Sequence, residues 1–444
     1  MGKYFGTDGI RGKANVDINA KTAFEVGRCL GHYFSKSGRG KILVGKDTRL
    51  SSSMFEMALA SGITSSGADV FLVGYCPTPC VAYLVKNKDF DCGAMISASH
   101  NPFYDNGIKI FNHEGTKVSG DLEDLIEEYI DSHEELPFKV DKDIGRVVDY
   151  HSGLDIYLDF LENEYPLDLT GMKIALDCAN GSASYSAKQL LEKNNAEITV
   201  IHNDPTGINI NNHCGSTHPE DLQELMKKGN YDIGFAFDGD ADRLIAVDSN
   251  GNLMDGDHIL YICGKYLNET NELKKNTVVT TVMANLGLLK AFDRENISYV
   301  ATQVGDKYVF EEMVKSGYNL GGEQSGHVIF SDHITTGDGL LTALNLLTIM
   351  KATNKGALEL LEGLKIYPQL LINIKVNDKE LAMKDKDVLN ETEKVSKELG
   401  ENGRILVRPS GTEPLVRVMV EAESDELCKT MVGRVTKILE DKFV

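Results

Sequence analysis

The sequence predicts an α/β protein of four units, three α/β and a smaller C-terminal α+β one, on three observations. At 444 residues the chain exceeds what one ordinary hydrophobic core can serve. Short apolar runs alternate with helical patterns for most of the length, the signature of parallel α/β units. From residue 367 the order changes to strands and charged helices that read as a small α+β domain.

In the first unit, 1–150, "KILVG" (41–45) reads as a strand and "SSSMFEMALASGITSSG" (51–67) as a capped helix ending in glycine. "ADVFLVG" and "FDCGAMIS" follow as strands, and the amphipathic segment "DLEDLIEEYIDSHEEL" closes the unit. The pattern restarts in 151–253, where "MKIALDCANGSASYSAKQLLEKNNAEITVIH" is a strand, a glycine turn, a helix and a strand. "YDIGFAF" then leads into "DGDADR", and "LIAVDSNGN" ends in an Asn-Gly hairpin. The third unit, 254–366, opens at "DGDHILYICGKYL" and holds the strand "NTVVTTV", the helix "NLGLLKAFDREN" and the strand "SYVATQ". Its long helix "GDGLLTALNLLTIMKA" carries apolar residues at three- and four-residue steps. The last unit, 367–444, contains "QLLINIKV", a charged helix around 385–399, "RILVR", "LVRVMVEAE" and a final helix. No internal repeat is visible in the letters themselves.

Charged residues at 25% and hydrophobic residues at 42% describe a globular protein rather than a disordered or membrane-embedded one. "MGKYFGTDGIRG" lacks the apolar core of a signal peptide, and no apolar run is long enough to span a bilayer. Of eight cysteines only Cys76 and Cys80 are closely spaced, so reduced thiols in the cytoplasm are expected. A net charge of −21 argues against nucleic acid as a partner. A small anionic ligand stays possible if cations gather locally, which directs attention to arginines and lysines in glycine-rich loops.

Four loops carry chemistry. In "FAFDGDADR", Asp238, Asp240 and Asp242 are spaced by two, so an extended backbone would point all three to one side. Such charges need a cation, and all-oxygen ligation suits Mg²⁺. A calcium loop of the EF-hand kind would need glycine and glutamate where Arg243 and Ser249 stand. A solvated acidic turn is the other alternative, but the motif ends an apolar strand and Arg243 follows directly. In "MISASHNPFYDNGIKI", Ser99 and His100 stand at the mouth of a strand with an Asn-Gly turn expected behind. Neighbours in extended chain face opposite ways, and no G-x-S-x-G elbow occurs, so a hydrolase triad is not expected. A phosphoryl-carrying serine is the better reading, provided the aspartate loop can bring it a cation.

"NLGGEQSGHVIF" places Glu323, Ser325 and His327 between two apolar runs, where Glu323 can accept two sugar hydroxyls. "RILVRPSGTEPLVRVMV" sets Arg408, Ser410, Gly411 and Thr412 on a turn between strands, with Arg417 on the second. Arginine forks, hydroxyls and free amides together make a phosphate cradle.

Taken in the order serine, metal, sugar and phosphate, these loops resemble the α-D-phosphohexomutase superfamily, from "FGTDGIRG" to the C-terminal domain. The motif wording is most like that of its bacterial members acting on glucosamine phosphates. The resemblance implies three α/β domains of related topology plus a smaller fourth around a central active-site cleft. It implies that Ser99 is the phosphoserine and holds Mg²⁺ through its phosphoryl oxygen together with Asp238, Asp240 and Asp242. Glu323, Ser325 and His327 would contact the sugar, and Arg408, Ser410, Gly411, Thr412 and Arg417 the phosphate not being transferred. Arg11, His100, Lys109 and Arg243 match positions near the transferring group, with Lys109 and His100 as proton movers. Lys307 departs from the arginine common in relatives, which weakens a bidentate contact there.

The activity implied is interconversion of glucosamine 6-phosphate and glucosamine 1-phosphate through a bound 1,6-bisphosphate, serving UDP-N-acetylglucosamine and cell-wall precursor synthesis. Glucosamine or glucose 1,6-bisphosphate would act as activator, a kinase would be an alternative primer of Ser99, and a homodimer is the assembly implied. The alternatives are glucose or mannose phosphates on the same machinery, a metal-dependent phosphatase, or a sugar-phosphate-binding protein without turnover.

Overall fold

The computed structural model describes residues 3–6, 8–36, 38–118, 120–132, 136–410 and 414–444. The chain divides into two packed units, Met1–Val282 with Ile297–Glu362, and Met283–Asn296 with Gly363–Val444.

The larger unit holds three sheets built on one plan. In the first, Asp69–Tyr75, Lys41–Lys46 and Cys92–Ile96 run parallel and Asp105–Asn112 lies antiparallel beside Cys92–Ile96. In the second, Glu197–Ile201, Lys173–Asp177 and Ile233–Phe237 are parallel and Leu244–Asp248 is the antiparallel neighbour. In the third, Ser298–Thr302, Thr277–Thr281 and Leu320–Gly322 are parallel and Val328–Phe330 antiparallel. The first sheet extends further through Phe5–Gly6 and Gly9–Lys13 at one edge and Val147–Asp149 at the other. A repeat invisible in the letters is therefore plain in the topology. In each sheet a short loop joins the last parallel strand to its antiparallel partner, and these loops hold Ser99, the aspartates 238–242 and Glu323–His327.

The strands read correctly as continuous apolar runs because both faces are covered: every residue of Cys92–Ile96 and Ile233–Phe237 is buried. One feature differs from expectation. Asn106-Gly107 is not a turn but lies within Asp105–Asn112, paired across to Gly12 and Arg11. The Asn106 amide spends its hydrogen bonds on Ser51 and Ser52, 2.8 and 3.1 Å away, instead of on a turn. The apolar stretch after Tyr75 turns into a helix, Thr78–Asn87, because Pro79 sits in its first turn, where a missing N–H costs nothing.

In the smaller unit, Leu415–Glu421 pairs antiparallel with both Gln369–Lys375 and Arg404–Pro409, and the helices Lys386–Leu399 and Asp425–Phe443 cover the sheet. The helix Leu286–Arg294 belongs here by packing. Its first turn is tied down by Glu421, which accepts from Leu286 N at 2.9 Å and pairs with Arg404 at 2.7 Å.

All eight cysteines are buried and unpaired. Burial pushes the Cys29 thiol up to about 11 and that of Cys263 to about 12. Among the described residues no helix is long and apolar enough to cross a membrane.

Asp338 caps the helix Gly339–Thr353 by accepting from Leu341 N at 3.0 Å, and accepts from the Tyr157 hydroxyl at 2.7 Å. Burial raises its carboxyl from 3.8 to about 6 despite these bonds. A raised folded value means the folded state favours the protonated form. The stability this contributes is present below the unfolded value and is lost as pH rises through about 6. The shift corresponds to roughly 3 kcal/mol. Asp338→Asn, which keeps a good cap, is expected to raise Tm at pH 7 and to lose that advantage near pH 4. A Tm difference independent of pH would contradict this account.

Candidate active site

Ser99 stands in the loop that leaves Cys92–Ile96, buried and with φ +50°. Non-glycine residues seldom adopt this left-handed conformation. The chain here is thus not extended, and the expectation that Ser99 and His100 face apart fails: Ser99 Oγ lies 3.4 Å from His100 Nδ1. The shorter contact is to the second loop, where Ser99 Oγ donates to Asp238 Oδ2 at 2.6 Å. The two loops that had to meet do meet. Burial, then Arg243 and Arg11, lower the His100 imidazole to about 4, so it is neutral at pH 7.

The aspartates converge, but by a different device from strand alternation. Residues 238–242 form a tight turn closed by Ala241 N donating to Asp238 O at 3.1 Å, with Ala241 at φ +55°. One carboxylate oxygen from each of Asp238, Asp240 and Asp242 lies within 4.8 Å of the other two, and all three residues are buried. Thr78 Oγ1 donates to Asp240 Oδ2 at 2.5 Å and Thr78 N to Asp240 O at 2.9 Å, so the helix Thr78–Asn87 props the turn. Among the described residues Asp240 Oδ1 and Asp242 Oδ1 accept no hydrogen bond. Orphaned oxygens in a dry carboxylate cluster are what a hard cation needs, so the donor set fits a divalent metal. A second cluster, Asp177, His202 and Cys214, differs in this respect. Its carboxylate is already engaged by Ala179 N, Gly215 N and His202 Nδ1, each at 2.9 Å.

Lys109, on Asp105–Asn112, places Nζ 2.7 Å from Asp240 Oδ2, 3.0 Å from Asp242 Oδ2 and 3.3 Å from Asp8 Oδ2. Burial pulls its ammonium down, but Asp240, Asp242 and Asp8 hold it well above the usual lysine value. Asp242 is held low against burial chiefly by Lys109. Asp238, which no lysine touches, is pushed up by burial and then by Asp242 and Asp240.

Asp8 pairs with Arg11 and, at 2.5 Å, with Lys117 Nζ, which lies 2.6 Å from Asp306. His327 is buried, with Nδ1 3.7 Å from Asp242 Oδ1 and Nε2 3.6 Å from Asp306. Gly337 N donates to Nε2 at 3.0 Å, which leaves the Nδ1 proton facing Asp242. Burial works against the imidazolium, but Asp242 and Asp306 raise its pKa overall. Arg243 donates its backbone N–H to Asp238 Oδ1 at 3.2 Å, and its side-chain Nε stands 3.9 Å from Asp242 Oδ1.

In the third loop Glu323 is buried and its Oε1 accepts from Gly305 N at 3.0 Å, so one oxygen is committed; Ser325 is exposed. Lys307 is half-buried and forms no ion pair within 4.0 Å among the described residues. Thr78, Lys117 and Asp306 carry no motif that marks them in the sequence, and Asp8 has only its place within "FGTDGIRG" as a signal.

In the smaller unit Arg408 and Arg417 face each other across neighbouring strands. Burial, then the like charge of Arg417, depress the Arg408 guanidinium. Ser410 is buried, and its carbonyl accepts from Lys379 Nζ at 2.7 Å. Gly411 and Thr412 lie outside the described residues.

These sheets and loops define a phosphosugar mutase. Family models described as phosphoglucomutase/phosphomannomutase match most of the length: α/β/α domain I at residues 2–137, domain II at 155–251, domain III at 255–367 and the C-terminal domain at 371–438. The chain belongs to this phosphoglucomutase/phosphomannomutase family, of the α-D-phosphohexomutase superfamily. It is 52% identical to phosphoglucosamine mutase of Lachnoclostridium phytofermentans over 443 residues, 100% of this chain and 99% of the relative. A crystal structure of a phosphoglucomutase/phosphomannomutase family protein from Burkholderia thailandensis superposes with TM-score 0.82 at 26% identity, covering 99% of this chain and 98% of that one. N-acetylphosphoglucosamine mutase of Aspergillus fumigatus, solved with GlcNAc-6P and magnesium, shares the fold at TM-score 0.73 and 17% identity, covering 99% of this chain and 95% of that one.

With its pKa near 4, His100 is expected to remain uncharged from pH 8 down to about 5. An NMR titration of its ring signals, assigned by comparison with His100→Gln, checks this; a midpoint above 6 would show that burial and the two arginines do not govern the site.

Proposed function

We propose that the protein interconverts glucosamine 6-phosphate and glucosamine 1-phosphate, with Ser99 carrying the phosphoryl group between the two ends of the sugar. The observation that carries this reading is the 2.6 Å contact of Ser99 Oγ with the aspartate turn, supported by the full-length likeness to a phosphoglucosamine mutase. The domains we assign are 1–150 for the serine loop, 151–253 for the metal loop, 254–366 for the sugar loop and 367–444 for the phosphate loop.

In the forward half-reaction the C1 hydroxyl oxygen of glucosamine 6-phosphate forms a bond to phosphorus as the bond from phosphorus to Ser99 Oγ breaks. Neutral His100 accepts the hydroxyl proton, and the product is a bound 1,6-bisphosphate. The sugar then reorients, and its 6-phosphoryl group returns to Ser99 Oγ as the bond from phosphorus to O6 breaks; O6 takes up the proton held by His100, which leaves glucosamine 1-phosphate and neutral His100. A carrier serine makes each transfer in-line, which a direct shift between the two ends of a hexose is not. Asp238, Asp240 and Asp242, with an oxygen of phosphorylated Ser99, are the residues that would hold Mg²⁺, which when bound offsets phosphoryl charge and polarises the phosphorus. Lys109 and Arg243 hold the anionic oxygens, and Lys109 stays charged rather than moving protons. Arg11 fixes Asp8 against Lys109. His327 orients Asp242, while Glu323 offers its free oxygen to the sugar hydroxyls with Ser325 beside it. Arg408, Arg417, Ser410, Gly411 and Thr412 grip the phosphate that is not transferred. A 1,6-bisphosphate or a kinase primes Ser99, and the working form is a cytoplasmic homodimer.

Intact-mass analysis of active protein is expected to find one phosphoryl group, absent from Ser99→Ala together with turnover measured by a coupled assay for glucosamine 1-phosphate. Turnover by Ser99→Ala would end this proposal. Arg417→Ala is expected to raise KM by about 10- to 100-fold, as befits loss of a charge-assisted hydrogen bond. The Ser99 phosphorylation level should stay unchanged, and an unaltered KM would remove Arg417 from the phosphate site.

A further inference from the structure

We infer that Arg49, anchored by Asp47, is the positioning residue of the phosphoryl-carrying loop. This rests on the mutase reading above. The Arg49 side chain is fully buried, as is its ion-pair partner Asp47, whose Oδ2 accepts from Arg49 Nε at 2.8 Å. The rest of the guanidinium addresses one object, the loop from residue 99 to 105. Nη2 donates to Ser99 O at 2.7 Å, and Nη1 donates to Asp105 O at 3.1 Å and to Pro102 O. Asp47 reaches the same loop by a second route. It accepts from Ser97 Oγ at 2.7 Å, and that oxygen in turn accepts from Ser99 N at 2.9 Å. Ser52 Oγ, at 2.7 Å, and Arg49 N, at 3.1 Å, donate to the other oxygen of the Asp47 carboxylate.

Both backbone polar groups of Ser99 are therefore fixed by a pair lying fifty residues upstream in sequence. The need for such a fixture lies in the φ of +50° at Ser99, a strained conformation that persists only when the surroundings over-determine it. Asn211, in the loop that follows the strand Glu197–Ile201, adds a brace, donating from Nδ2 to Ser99 O at 2.8 Å and to Asn101 O at 3.1 Å. Arg49 meets neither the aspartate turn nor Lys109 in any described contact, so it acts on the transfer only through where it holds Ser99 Oγ. A planar fork can span three carbonyls at once; the compact ammonium of lysine cannot.

The test compares Arg49→Lys, Arg49→Ala with and without guanidinium in the buffer, and Ile126→Ala, a fully buried core residue of the helix Gly120–Ser132, as a stability control. Arg49→Lys is expected to lose about 100-fold in kcat, the order that a misplacement of about 1 Å produces, with KM within about threefold of the parent. Guanidinium is expected to restore part of kcat in Arg49→Ala. Retention of kcat by Arg49→Lys overturns the inference, as does an equal loss in Ile126→Ala at matched Tm, or absence of rescue in folded Arg49→Ala. If Arg49→Ala does not fold, Arg49→Lys decides alone. A parent protein without mutase turnover would instead overturn the activity on which the inference rests.

Discussion

Gathering three carboxylates in a dry turn is the constraint to which the rest of the site answers. Two charges 4.8 Å apart repel by roughly 3–4 kcal/mol at an effective dielectric of 20. The structure meets this with alternating shells of charge. Lys109 lies against Asp240 and Asp242, Asp8 lies against Lys109, Arg11 and Lys117 lie against Asp8, and Asp306 lies against Lys117. Each ion of this series has an opposite neighbour, without which such burial would be strongly destabilising. Two aspartate oxygens stay outside this arrangement, and it is there that the donor set fits a divalent metal.

The same economy shows in the backbone. Three sheets repeat one order, three parallel strands and an antiparallel fourth, and the reversal forces a short loop at the carboxyl end of the third strand. Ligands of open α/β sheets bind outside the carboxyl ends of strands because backbone groups there are free of the ladder. One loop with a serine, one with aspartates and one with a glutamate and a histidine are thus three versions of a single structural position. The smaller unit sets its arginines around the hairpin between Arg404–Pro409 and Leu415–Glu421.

What the sequence made legible was whatever lies close together in it. The strands read well because buried parallel strands are continuous apolar runs, and the loop residues read well because each motif fits within about ten letters. Residues that work across distance were silent. Thr78 braces Asp240 from 162 positions away, Lys117 reaches Asp306 across 189, and Arg49 holds Ser99 across 50. Local geometry also misled where extended chain was assumed. Left-handed residues at Ser99 and Ala241 bend both loops, bringing His100 toward the serine and folding the aspartates into a turn. Asn106-Gly107 has the letters of a turn, but strand pairing on both sides and the serine hydroxyls at 51 and 52 outweigh that preference.

The eight sequestered thiols make the chain nearly blank to sulfhydryl reagents. The thiolate is the reactive form; burial shields all eight sulfurs and disfavours ionisation of those at Cys29 and Cys263. A single cysteine engineered onto an exposed position of either unit would accordingly be the only site a maleimide dye or spin label finds. Paired labels, one on each unit, would then report separations during turnover against a silent background, with no native cysteine to remove first.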